Sequence, residues 1–296
     1  MAPAGLENEA PQVTNAGFVT RDGLHLPLQE WDAKNPKAVI VALHGMSDYS
    51  EAFEMPGPFW AEHGITTIAY DQRGFGRAPN PGVWAGANAM RQDLNDCVEA
   101  ARAKFPHVPV YALGESMGGA VVLSALASQS PPRVDGAILV APAVWSRSDM
   151  PLSYRVTLWL AAHTLPWLHV SGNGLHIVPS DNIPMLRKLS RDPLFQHDAR
   201  VDQVYGLVNL MDAARKAPRT LADPPPILFL YGAKDEIIPA EPTGAVIAEL
   251  GPRAKSIRYP GGYHMLLRDL DAETVWKDVD TWALDRPRSV TTENTK

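Results

Sequence analysis

The sequence predicts an α/β fold: a mostly parallel central sheet with helices on both faces and a helical cap inserted past its middle. Three observations carry that prediction. Short apolar, β-branched runs recur along the chain, of the kind that parallel sheets bury on both faces. Helix-like stretches separate them, and strands alternating with helices pack as a covered parallel sheet. The rhythm then breaks over residues 145–224, a stretch with no convincing strand and far longer than an ordinary connection.

The elements follow in order. GFVTRDGLHLPLQEW (17–31) sets two alternating stretches around Asp22-Gly23, the pattern of a β-hairpin opening the sheet. Strands are expected at 38–45, 65–71, 108–114, 134–142, 225–232 and 254–261. Helices are expected at 88–105, 117–129, 242–250 and 273–285; in the first, Met90, Leu94, Cys97, Val98 and Ala101 recur at helical spacing. Val144 to Asp212 reads as the cap, dividing a core made of 1–143 and 213–296.

The chain has 296 residues, 45% hydrophobic and 20% charged, enough for one large domain with a sizeable core. Its 27 prolines imply many punctuated loops, where sites are usually built. A net charge of -6 offers no electrostatic footprint for nucleic acid. The single cysteine, Cys97, excludes an intrachain disulfide and reads as a buried helix position. The first fifteen residues lack a basic n-region and an apolar h-region, so no secretory signal is visible. A cytoplasmic or membrane-peripheral protein is expected, a removed signal apart. Val156 to Ser180 carries no Asp, Glu, Lys or Arg, yet Pro166 and the polar SGNG at 171–174 interrupt it too soon for a membrane span.

Gly114-Glu115-Ser116-Met117-Gly118 matches G-x-S-x-G between a strand-like run and a helix-like run. That context is the one in which a strained turn lifts a serine hydroxyl above the sheet. Such a serine needs a base, and the base an orienting carboxylate. Asp235, in GAKDEIIP, and His264, in GGYHMLL, follow in the order Ser, Asp, His, each in a loop after a strand and so at the edge of the sheet that bears the serine. Glu236 competes with Asp235 for the orienting role. Two backbone N–H groups should face the carbonyl oxygen: that of Met117, after the nucleophile, and one from the HGMSDYS loop, for which Met46 is chosen. His44 in that loop is expected to hold the turn.

Taken together, HGMSDYS, YDQRGFGRA, GESMGG, GAKDEIIP and GGYHMLL resemble the α/β-hydrolase superfamily. The resemblance is to its monoacylglycerol lipase or lysophospholipase-like branch, which includes proteins labelled serine aminopeptidase, and it spans residues 16 to 285. It implies an esterase with a cap over the site, a triad of Ser116, Asp235 and His264, and oxyanion donors at Met46 and Met117. The loop after His44-Gly45 departs from the branch, MSDYS standing where an Ala-Gly-Glu-His type sequence is usual.

The cap should choose the substrate. Leu152, Val156, Trp159, Leu160 and His163 share one helical face, while Leu158, Ala162 and Leu165 make the other side apolar too. Such a helix wants two apolar neighbours: the core, and an acyl-chain tunnel, a partner or a membrane surface. Trp145, Trp159 and Leu160 are the candidate substrate contacts. Six basic and six acidic side chains balance over 144–212, which favours neutral esters over anionic head groups. No cofactor is expected, because the G-x-G of DQRGFGR lacks its third glycine. No metal is expected, because His163, His169 and His176 lack ligand spacing. The reading is therefore a serine hydrolase of carboxylic esters acting on a small-molecule ester or lipid, with peripheral membrane contact through the cap. The same machinery would serve an amidase, peptidase or acyltransferase, and a non-catalytic binding protein on the same fold is the rival class.

Overall fold

A computed structural model describes residues 10–14, 16–171 and 177–285. Most of the segment read for an export signal, residues 172–174 of the SGNG stretch, His176 and residues 286–296 lie outside the described residues.

The chain opens with β1 (Gln12–Thr14), β2 (Gly17–Val19), β3 (His25–Leu26), β4 (Leu28–Trp31) and β5 (Ala38–Leu43). There follow α1 (Pro56–Glu62), β6 (Ile65–Tyr70), α2 (Ala87–Lys104), β7 (Val110–Glu115), α3 (Met117–Leu126) and β8 (Gly136–Val140). The long interval holds α4 (Leu152–Thr164), β9 (His169–Val170), α5 (Ile183–Leu189), β10 (Ala199–Arg200) and α6 (Val201–Lys216). The last part is β11 (Ile227–Gly232), α7 (Ala240–Leu250), β12 (Ala254–Tyr259) and α8 (Ala272–Leu284).

The central sheet has seven strands in the order β12-β11-β8-β7-β5-β6-β4, parallel except for β4. Alternation along β5 feeds two cores. Val39, Val41 and Leu43 face α2, α3, α6 and α7, whereas Ala38, Ile40 and Ala42 face α1 and α8. The five apolar positions expected on α2 are buried, Cys97 among them.

The opening hairpin differs from expectation. β2 pairs with β3 as foreseen, but with β1 they form a separate three-stranded sheet, and β4 alone joins the central one, antiparallel to β6. Pro27 lies at the break; it has no N–H for a ladder, and its carbonyl accepts from the Asp71 N–H at 2.8 Å. The interval expected to lack strands holds one small pair, β9 with β10, exposed or half-buried and two residues long on each side. Among the described residues no helix is long and apolar enough to cross a membrane.

Candidate active site

Four loops converge at the carboxyl edge of the sheet, following β5, β7, β11 and β12. β7 ends at Glu115 and α3 begins at Met117, so Ser116 alone makes the turn, with φ 53° and ψ -114°. This conformation is costly for a residue with a side chain, and the surrounding packing maintains it. A Cβ on Gly114 would stand 2.3 Å from the Gly118 backbone, and one on Gly118 2.2 Å from the Leu43 carbonyl oxygen. The two glycines are thus required by close approach, and they let the elbow press against β5.

His264 lies between the serine and the aspartate. Its Nε2 is 2.9 Å from Ser116 Oγ and its Nδ1 is 2.8 Å from Asp235 Oδ2. An ionised carboxylate only accepts, which assigns the proton to Nδ1 and leaves Nε2 to accept from the serine hydroxyl. Asp235 is fixed in turn, because its Oδ1 accepts from the Ile237 and Ile238 N–H groups at 2.8 and 3.0 Å. The His264 and Asp235 side chains are each 7% exposed, so this chain of bonds is shielded from competing water. Glu236, the competitor for the carboxylate role, points elsewhere: its Oε2 accepts from the Val178 N–H at 3.0 Å.

The loop after β5 lies against Ser116, since a Cβ on Gly45 would sit 3.3 Å from Ser116 Cβ. Met46 follows at once, half-buried. As the first residue of α3, Met117 has an N–H with no acceptor within the helix. His44 anchors the loop. Its Nε2 accepts from the Gln72 N–H at 2.9 Å and its Nδ1–H donates to the Gly45 carbonyl at 2.8 Å. Gln72 Nε2 also donates to the His44 carbonyl at 2.8 Å. Full burial pushes this imidazole below its ordinary pKa, as suits a neutral ring with one donor and one acceptor.

The substrate contacts foreseen on the cap are placed differently from the triad residues. Trp145 is half-buried just beyond β8, but Trp159 and Leu160 are both 54% exposed on α4. Trp159 stacks on His163, 4.4 Å between ring centres. The apolar groove beside α4, about 460 Å³, is lined instead by Tyr154, Thr157, Leu158, Ala161, Val170 and Val204. Of the two apolar sides expected on this helix, the one bearing Leu158 faces α6, and the one bearing Trp159 and Leu160 is turned outward. No group of metal-ligating side chains occurs among the described residues.

Two clusters at the site went unread. Ser180 Oγ donates to Asp269 Oδ1 at 2.7 Å, Asp269 Oδ2 accepts from the Tyr263 N–H at 2.8 Å, and the Pro179 carbonyl accepts from the Met265 N–H at 2.9 Å. These bonds tie the middle of the cap interval to the histidine loop. The second cluster joins Asp48, Glu115 and Arg268. A charged residue closing an apolar strand, as Glu115 does, is the signal that points to a buried partner.

Residues 34–271 match the family described as serine aminopeptidase, S33. The chain is 27% identical to the monoglyceride lipase of Rattus norvegicus over 91% of its length and 90% of that protein. It is 23% identical to the monoacylglycerol lipase of Mycolicibacterium smegmatis, over 90% and 95% of the two chains. Among solved structures, the monoacylglycerol lipase of Paleococcus ferrophilus superposes with a TM-score of 0.75 at 20% identity, covering 88% of this chain and 99% of that one. A soluble variant of monoglyceride lipase from Saccharomyces cerevisiae, in complex with a substrate analogue, gives 0.77 at 19% identity, with 95% and 97% covered.

Proposed function

From a chain that belongs to the serine aminopeptidase S33 family and has the α/β-hydrolase fold, we propose a serine esterase cleaving neutral lipid monoesters through Ser116, His264 and Asp235. It is a carboxylic ester hydrolase like the monoglyceride lipases it resembles. The observation carrying the mechanism is the unbroken run of bonds from Ser116 Oγ through His264 to Asp235, at 2.9 and 2.8 Å.

In this reading Ser116 Oγ attacks the ester carbonyl carbon while His264 Nε2 takes the hydroxyl proton. Asp235 holds the ring and stabilises the imidazolium that forms. Negative charge grows on the carbonyl oxygen, and the Met46 and Met117 N–H groups receive it. Collapse of the tetrahedral intermediate expels the alcohol, which takes its proton from His264. Water then attacks the acyl-serine by the same route and releases the acid.

The substrate class rests on the cap, for which we keep residues 144–212 between core parts 1–143 and 213–296. Its balanced charge suits an uncharged head group, and the groove beside α4 suits an acyl chain. Leu152, Trp159, Leu160 and Trp167, each more than half exposed, would meet a membrane surface peripherally.

A fluorophosphonate probe tests the nucleophile: it should label the wild type and not Ser116→Ala, whose kcat should fall about 10⁶-fold. Unlabelled, folded wild-type protein would favour a binding protein instead. Glycerol monoesters of graded chain length test the substrate, and a preference for two- to four-carbon acyl groups would exclude the lipid reading.

A further inference from the structure

Arg268 is a buried cation that the chemistry above does not use. It lies four residues beyond His264, with its side chain 5% exposed. Its Nη2 is 2.6 Å from Asp48 Oδ2 and 3.3 Å from Glu115 Oε2, and those carboxyl side chains are 4% and 2% exposed. One nitrogen therefore bridges two carboxylates that are 67 residues apart in sequence.

The place of each partner in the chain matters more than the pairing. Asp48 stands two residues after Met46, and its Oδ1 accepts from the Tyr49 N–H at 3.0 Å, which stiffens that turn. Glu115 is the last residue of β7, bonded by its peptide to Ser116. Arg268 closes the turn that carries His264: its N–H donates to the Met265 carbonyl at 2.8 Å, and its carbonyl accepts from Asn182 Nδ2 at 2.9 Å. A buried cluster of two carboxylates and one guanidinium is a poor way to gain stability, since apolar side chains of similar volume usually do as well or better. Glu115 Oε1, Arg268 Nε and Asp48 Oδ2 are also buried without an aligned hydrogen bond, so Asp48 and Arg268 meet as an ion pair. The arrangement makes sense as a fixture for the three loops.

Resting on the serine-esterase reading, we propose that Arg268 is a positioning residue: by bridging Asp48 and Glu115 it holds the Met46 loop in register with the elbow that carries Ser116 and Met117. The two oxyanion donors come from separate segments, so their spacing depends on what joins those segments. Charge developing on the substrate oxygen is where a small displacement costs most, because ground-state binding does not require both donors.

The test compares wild type with Arg268→Met, Arg268→Lys and Asp48→Asn, using p-nitrophenyl octanoate and counting active sites by fluorophosphonate titration. Arg268→Met should lower kcat per titrated site about 10- to 100-fold with KM changed less than about twofold. Affinity for an alkyl trifluoromethyl ketone, which mimics the tetrahedral adduct, should fall by the same factor. Lysine, which restores a point charge, should recover most of the loss. If Arg268→Met does not fold, Asp48→Asn carries the test, since it cuts the bridge at the oxyanion loop alone and should show the same kcat and ketone effects. A folded variant that kept wild-type kcat per site and ketone affinity while losing only thermal stability would overturn the proposal. Wild-type protein that neither took the label nor turned over the ester would instead overturn the esterase reading on which it rests.

Discussion

Ser116 owes its position to strain held by neighbours, and Glu115 beside it owes its own to a charge held away from water. Burial pushes the Glu115 carboxyl above its ordinary value of 4.5, with Arg268 working against that rise. A carboxyl with a raised value binds its proton more tightly when folded. Its penalty is therefore absent below the unfolded value and grows as pH rises through the folded one. Glu115→Gln removes the penalty and keeps an acceptor for Arg268, so variant-minus-wild-type stability should become more favourable from pH 4.5 to pH 8. Urea midpoints at the two pH values measure this, and an unchanged difference would mean that Glu115 carries no pH-dependent penalty. At this scale the sequence was informative about which side chains meet: Ser116, Asp235 and His264 stood out by their order and lie hydrogen-bonded in a row. Arg268 was not legible, because an arginine four positions from a histidine has no meaning until folding brings Asp48 and Glu115 to it.

Among the elements, α4 has the clearest consequence. Thr157, Leu158 and Ala161 line the groove beside α6, and Ala161 is small enough that filling its position narrows the space. Ala161→Trp should lower kcat/KM for long-chain monoesters about tenfold or more while leaving short-chain esters within about twofold, since a buried apolar acyl chain is worth roughly 0.8 kcal/mol per methylene. Equal effects on both would place the acyl chain elsewhere. The strands of the central sheet could be read because continuous apolar runs such as AVIVAL and ILFLYG have few other uses. α1 escaped notice because PGPFWAE places Pro56, Gly57 and Pro58 in its first turn, where proline is tolerated but signals a loop to the reader. The opening hairpin was assigned to the wrong sheet because the consequence of Pro27 depends on which strand edge meets it.

For the molecule as a whole, the two cores on opposite faces of the sheet make a rigid platform; α6 packs into one of them, and the part of the interval before α6 is also fastened by discrete polar ties. The Gln196 N–H donates to the Ser47 carbonyl at 2.8 Å, and Tyr49 Oη lies 2.5 Å from Asp192 Oδ2. Ser180→Ala removes the 2.7 Å bond to buried Asp269. It should cost about 1.5 to 3 kcal/mol of unfolding free energy, the usual range for a bond to a charged group. Amide exchange should quicken around residues 263–269, and exchange unchanged there would show that the histidine loop holds itself. Strand order was beyond the sequence, because it depends on which helices cover which face. The length of the interval after β8 was legible, but not that its last helix, α6, buries Val208, Leu210 and Met211 in the core beside α3.

The interval's position between β8 and β11 also orders events during synthesis. Ser116 leaves the ribosome well before the cap residues, and Asp235 and His264 leave after them. Under the proposed mechanism, a chain stalled anywhere short of residue 264 carries a hydroxyl without its base, so partial products of translation should not hydrolyse esters.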